Sequence, residues 1–213
     1  MVDEKIVDAV KKARESSKKR NFKQTFDLAI NLRNIDLKKP ENRIKANINL
    51  PNGLGKDVKI GVIVEKLATQ TKDLENINVI KREDLEILGK NKKLAKKIAN
   101  ECVSFVAEAP LMPLVGRNLG PILAPRNLMP TPIPPTADLK SIIEGRKNLI
   151  NIQLKDSPTI HLAVGTEEME DEKIAENVDA VIKNIISGLP KGKQQIKDLI
   201  IKLTMGPPIK FNL

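Results

Sequence analysis

The residue types that most often carry catalysis are scarce in this chain. Among 213 residues there is one histidine, His161, and one cysteine, Cys102. Zinc sites draw several such ligands at set spacings, and a nucleophilic thiol needs a base within reach. Cys102 opens a short apolar run, CVSFVA, and reads as an inert buried thiol. His161 falls on the polar phase of its segment, where a surface or RNA-facing role and a satisfied structural one both fit. The carboxylates of Thr166–Glu172 precede a helical pattern, and a helix start favours acids for its dipole. Gly116-Arg117-Asn118-Leu119-Gly120 suggests a phosphate loop, yet neither Gly-x-x-x-x-Gly-Lys-Ser/Thr nor Gly-x-Gly-x-x-Gly occurs there. No catalytic residue, metal or cofactor is expected, and the chain is not read as an enzyme.

Composition points to a polyanion instead. The net charge is +10, from 37 Lys and Arg against 27 Asp and Glu. Such an excess attracts nucleic acid or an anionic membrane surface. The apolar runs are too short to span a bilayer and no leader-like segment opens the chain, so a membrane partner is not expected. The single cysteine suits a reducing compartment, and a cytoplasmic location is expected. With four Phe, no Tyr and no Trp, the chain has few rings on which to stack bases. Any nucleic acid it binds is therefore read through backbone, shape and hydrogen bonds.

The elements that must position such contacts can be read from periodicity. Val2–Arg20 has a helical stripe of Ile6, Val7, Val10 and Ala13. Thr25–Asn34 and Ile44–Leu50 alternate apolar and polar residues, as half-buried strands do. The turn-rich Pro51–Gly55 then marks a boundary. After it, Lys59–Val64 and Cys102–Ala107 are continuous apolar runs, typical of strands buried on both faces. Helical patterns at Glu65–Leu74 and Lys90–Asn100 and a short strand at Asn78–Ile80 lie between them. Pro110–Pro135 is too rich in proline and glycine for a sheet or a long helix, and Asp138–Lys147 restores a helix with Asp138 as its cap. Half-buried strands return at Ile150–Lys155 and Ile160–Val164, joined by Asp156-Ser157-Pro158 in what reads as a hairpin. A helix over Asp171–Ser187 and a closing strand over Leu199–Leu203 complete the chain, and the strand stops at Met205-Gly206-Pro207-Pro208.

The economical arrangement is an α+β outer domain, with an antiparallel sheet covered by helices, interrupted by an inserted α/β Rossmann-like domain. The outer domain takes residues 1–56 and 150–213 and the insert residues 57–149. The outer part holds 22 basic against 16 acidic side chains and the insert 15 against 11, so charge does not select between them. The polar sheet faces favour the outer domain weakly.

Five stretches together resemble one family: Asn21–Leu32 (NFKQTFDLAINL), Ile48–Gly55 (INLPNGLG), Phe105–Pro132, His161–Gly165 (HLAVG) and Leu203–Asn212 (LTMGPPIKFN). They are similar to the universal large-subunit ribosomal protein L-one family, the mobile-stalk proteins, in its archaeal form. The resemblance implies the split architecture, a monomer when free, and attachment to the ribosome. Its partners would be a structured element of large-subunit rRNA, the protein's own mRNA, whose translation it would repress, and deacylated tRNA leaving the exit site. Carried over by position, the RNA-contacting set is Phe22, Thr25, Asp27, Gly165, Thr204, Met205 and Gly206. Many members have a basic residue where this chain has Asn21, and Lys where it has Thr166; Lys18, Lys19, Arg20 and Lys45 are the candidates to supply that charge. Phe22 could equally be a core ring. Two other functions stand beside this one: an enzyme using the insert for a nucleotide, and a nucleic-acid chaperone held by charge alone.

Overall fold

The computed structural model describes residues 4–36, 45–56, 58–65, 76–136, 138–154 and 157–212. The chain divides into two compact units, Met1–Lys56 with Asn148–Leu213, and Asp57–Lys147.

The outer unit opens with helix α1, Glu4–Glu15, which buries Ile6, Ala9, Val10 and Ala13 at helical spacing. It is shorter than the Val2–Arg20 pattern suggested. Ser16 N still donates to Lys12 O, but Ser17 N turns to Arg14 O at 3.3 Å and the Ser17 hydroxyl takes Ala13 O in its place, which ends the helical pattern. Strand β1, Thr25–Leu32, then alternates strictly, with Phe26, Leu28, Ile30 and Leu32 buried and Thr25, Asp27, Ala29 and Asn31 half-buried. Burying each of those four apolar side chains is worth about 1.5–3 kcal/mol.

Strand β2, Lys45–Asn49, is the last regular element of this unit before the insert. The chain returns through β7, Leu149–Gln153, β8, Thr159–Thr166, and helix α7, Asp171–Gly188. It ends with β9, Ile196–Leu203, and β10, Ile209–Phe211. The main sheet has the order β10-β9-β1-β8 and its pairs are antiparallel, while β2 and β7 form a separate two-stranded sheet. The hairpin expected at Asp156-Ser157-Pro158 is therefore not formed: its two strands lie in different sheets. Alternation fixes which face a strand buries but not its neighbour, and here each strand finds a partner far away in sequence. Helices α1 and α7 share one hydrophobic core with the apolar side of the sheet.

Asn177 of α7 is fully buried within that core. Its amide donates to Gly53 O and Val164 O, both at 2.8 Å, and its Oδ1 accepts from Asn52 N at 3.1 Å. One satisfied polar side chain thus ties the Pro51–Gly55 turn to β8.

The inserted unit is a parallel sheet in the order β4-β3-β5-β6. Its strands are β3, Lys59–Ile63; β4, Ile77–Ile80; β5, Cys102–Glu108; and β6, Thr131–Ile133. Helices α2, Arg82–Lys90, and α3, Lys92–Glu101, connect β4 to β5. The expected helix at Glu65–Leu74 falls largely outside the described residues. Pro110–Pro135 contributes more regular structure than its composition suggested. It holds two short helices, α4 (Met112–Asn118) and α5 (Gly120–Leu123), and the edge strand β6. Pro113 and Pro121 sit in the first turns of those helices, where a missing N–H costs little, and Pro132 lies on an edge strand. Helix α6, Leu139–Lys147, starts as expected, with Asp138 Oδ1 accepting from Lys140 N at 3.1 Å.

Candidate nucleic-acid interface

The start of β1 and the end of β9 are neighbours, with Phe26 opposite Leu203 and Asp27 opposite Lys202. One residue further out, Thr204 N donates to Thr25 O at 3.1 Å. The Thr204 hydroxyl accepts from Thr25 N at 3.1 Å and donates to Thr25 O at 3.2 Å. One main-chain bond of the ladder is thus kept, and the side chain takes the place of the other. Thr204 nonetheless stays exposed, and since its only hydrogen is used, it can offer an incoming group just its remaining lone pair.

The turn that follows is held from beneath. Gln24 is 2% exposed, and its Oε1 accepts from Met205 N at 3.2 Å while its Nε2 donates to Lys18 O at 3.3 Å. Its carbonyl accepts from Glu167 N at 3.0 Å. Gln24 therefore ties the end of the α1 connection, the closing turn and the loop before α7 to one point. It was missed as a site residue, although the alternation of β1 extended back one step puts position 24 on the buried phase. Arg14 acts similarly from α1. Its guanidinium lies 2.8 Å from Asp171, donates to Glu167 O and to Met169 O, the latter at 2.7 Å, and has its carbon 5.4 Å from the centre of the Phe26 ring. No periodicity singles it out.

The two candidate glycines are explained by the protein itself. A Cβ on Gly206 would stand 2.1 Å from Ser17 Oγ, and one on Gly165 would stand 3.1 Å from both Ile174 Cγ1 and Met169 Sδ. Gly165 is buried opposite Phe26, at an irregularity where β1 and β8 shift register. Bulges of this kind redirect the side chains beside them.

The structure thus brings together Thr25, Thr204, Met205 and Gly206, with Gly165 one strand away. Met205 is 60% exposed and Phe22, in the bend before β1, is 50% exposed, which sets Phe22 outside the core. Lys23, next to Phe22, lies 2.9 Å from Glu168. Asp27 faces out of the sheet, where burial pushes its carboxyl up while Lys202 and His161 pull it down. Lys18, Lys19, Arg20 and Asn21 are exposed ahead of β1. Lys45, in contrast, begins β2 and pairs with Gln153 in the two-stranded sheet. Thr166 is 4% exposed and donates to Gly55 O at 3.3 Å, so its hydroxyl serves the fold.

In the insert, the place where topology would put a nucleotide holds a buried carboxylate among the described residues. Ligands of open parallel sheets bind beyond the carboxyl ends of the strands, where the strand order reverses. That place lies between β3 and β5, and there the buried Glu108 accepts from Glu65 N at 2.9 Å. A carboxylate thus occupies one main-chain donor at that place. Cys102 is buried, its thiol pushed up by burial, and Asn78 Nδ2 donates to its sulfur at 3.2 Å. Among the described residues, no three His, Cys, Asp or Glu side chains are placed to hold a metal.

Comparison with known proteins agrees with these motifs. The model of the ribosomal protein L1p/L10e family matches residues 10–207. Large ribosomal subunit protein uL1 of Methanothermobacter thermautotrophicus is 47% identical over 210 residues, 98% of this chain and 99% of that protein. The protein of the same name from Thermococcus kodakarensis is 47% identical over 208 residues, 97% of this chain and 96% of its own. That of Methanocaldococcus jannaschii is 46% identical, again over 97% of this chain. With the match covering both sides of the insert and the closing motif, this chain belongs to the ribosomal protein L1p/L10e family.

Proposed function

We propose that this protein is a structural component of the large ribosomal subunit that binds a folded element of its rRNA, and that it is not an enzyme. The observation that carries the reading is the near-full-length similarity, at about 47% identity, to archaeal proteins named for that subunit. Ribosome association in the cytoplasm follows from that role.

The outer unit, residues 1–56 with 148–213, is the proposed RNA-binding domain and residues 57–147 the inserted one. The proposed contact surface is the edge formed by Phe22, Thr25, Asp27, Gly165, Thr204, Met205 and Gly206. Thr204 offers a lone pair to a ribose 2′-hydroxyl, a group that distinguishes RNA from DNA. Met205 and Phe22 offer exposed apolar surface to a sugar or base face. Gly165 and Gly206 act by letting helix α7 and Ser17 approach closely enough to set that edge. Lys18, Lys19 and Arg20 supply phosphate contacts, with Lys45 a more distant candidate in the second sheet. Repression of the protein's own message, through an rRNA-like site on it, and assistance to tRNA leaving the exit site are further parts of the proposal, resting on family resemblance.

Sequencing the RNA that copurifies with the full chain tests this directly. Enrichment of one large-subunit rRNA segment supports the reading, and a second peak over the protein's own message supports the repressor role. RNA recovered without preference, bound with an affinity that collapses with salt, would place the protein with charge-driven chaperones instead.

A further inference from the structure

A second basic feature lies at the other end of the main sheet, where β1 leaves it and β9 enters. A groove of about 370 Å³ is lined there by Arg33, Lys193, Gln194, Ile196, Lys197 and Asn212 among others, and none of the described lining residues is acidic. Its walls are held by the backbone. Arg33 N donates to Gln195 O at 2.8 Å, and Arg33 Nε donates to Gln194 O at 2.9 Å. The Gln195 side chain, 5% exposed, accepts from Lys191 N at 3.0 Å. The guanidinium is thus oriented by one of its N–H groups, while its two terminal nitrogens have no partner among the described residues. Lys193 and Lys197 are exposed and make no ion pair among the described residues. Asp198 is the neighbouring acid; it stands across from Asn31, beside a register shift of β9, and is not among the described residues that line the groove.

We infer that this groove is a second phosphate-binding site of the outer unit, and that it takes the backbone of an RNA. A planar guanidinium held by one edge presents the other as a two-pronged donor, which matches a phosphate's oxygens, and two lysines beside it add charge. Three like charges around one groove, with no carboxylate among its described lining residues, favour an anion as the complementary occupant. The site is distinct from the Thr204 edge. The eight residues of β9 separate the two by about 25 Å at roughly 3.3 Å per residue. An RNA that reaches both must lie along the domain rather than touch one corner. The inference rests on the RNA-binding reading only for the identity of the ligand.

The test compares salt dependence in the full-length protein, using the copurifying rRNA segment as the probe. Each phosphate contact adds roughly 0.7–0.9 to the slope of log affinity against log salt. The variant R33Q/K193Q/K197Q, confirmed as folded by its thermal melt, is expected to lower that slope by about 2 and to weaken binding at least tenfold near 0.1 M salt. Thr204→Val removes no charge and should weaken binding with the slope unchanged. A triple variant with wild-type slope and affinity overturns the inference. So does an equal loss from K92Q/K93Q/K96Q, which removes the same charge from the insert and would mark the effect as net charge alone. Loss of inorganic tripolyphosphate binding without any change in RNA binding would reassign the groove to a small polyphosphate and overturn the RNA assignment. If the slope falls in the triple variant while Thr204→Val changes nothing, the groove stands and the Thr204 edge falls.

Discussion

Thr204→Val isolates the group on which the proposed RNA edge turns. The substitution keeps the shape of the side chain and removes an oxygen that accepts from Thr25 N and donates to Thr25 O. Because the position is exposed, water replaces part of what is lost, and the cost to folding should stay near the net value of one hydrogen bond, about 1 kcal/mol. At roughly 2–4 °C per kcal/mol for a chain of this size, the melting temperature should fall by only a few degrees. The bound state is different. There the oxygen's remaining lone pair is covered by RNA, and a ribose hydroxyl left facing a methyl group loses a partner it cannot replace. That penalty is about 1–3 kcal/mol, which corresponds to a Kd raised roughly 5- to 150-fold. Thr204→Ser keeps the oxygen and should bind within about threefold of wild type. Titration of the copurifying rRNA segment at fixed salt, alongside a thermal melt of each variant, reads both effects. A folded Val variant that binds within about twofold of wild type would refute the model, because the hydroxyl would then serve the sheet alone.

Gly206→Ala should destabilise the protein by about 1–3 kcal/mol, since its Cβ would overlap Ser17 Oγ, and adding Ser17→Ala should recover much of that loss in a double-mutant thermal-melt cycle. Asn177→Leu strands two carbonyls and one N–H inside the outer unit, and a loss of about 2–4 kcal/mol in denaturant melts is expected, with RNA affinity of the folded fraction unchanged. The folded-state pKa of Asp27 lies above the usual 3.8, so ionising it costs the fold something as pH rises through the carboxylate range. Asp27→Asn should therefore melt at a higher temperature than wild type at pH 7, and the gap should close below pH 3.8, where the wild-type carboxyl is protonated in both states.

What could be read from the sequence divides along physical lines. Period alone places the burial of β1 and β9, because alternation is a property of each strand by itself. Which strands touch depends on contacts between residues far apart in the chain, and there local reading fails. The segments either side of Ser157 look like a hairpin, yet one pairs with β2 and the other with β1. Resemblance identified Gly165 and Gly206 as important but suggested an RNA-facing reason, whereas the atoms that exclude a Cβ at each belong to the protein. Gln24 was accessible to phase counting. Arg14 was not, because its value lies in Glu167, Met169 and Asp171 arriving beside it from more than 150 residues away.

This division decides how the closing segment can be probed. The chain's last strands complete the proposed edge, so deleting everything after Lys202 looks like the direct test of whether both ends are needed. The structure argues against it. Leu203 and Phe211 are buried in the shared core, and β10 pairs with Ile201 and Leu199, themselves buried. Truncation removes core surface and opens the edge of β9, so loss of RNA binding would report unfolding as readily as a lost contact. At Met205 and Thr204 the two roles come closest to separating: both are exposed on the closing turn, Thr204 tied to the sheet only by hydrogen bonds with Thr25, while Leu203 before them and Gly206 after them carry the packing. Point changes at those two positions, each read beside a thermal melt, therefore test recognition, and changes at their neighbours test only whether the edge exists.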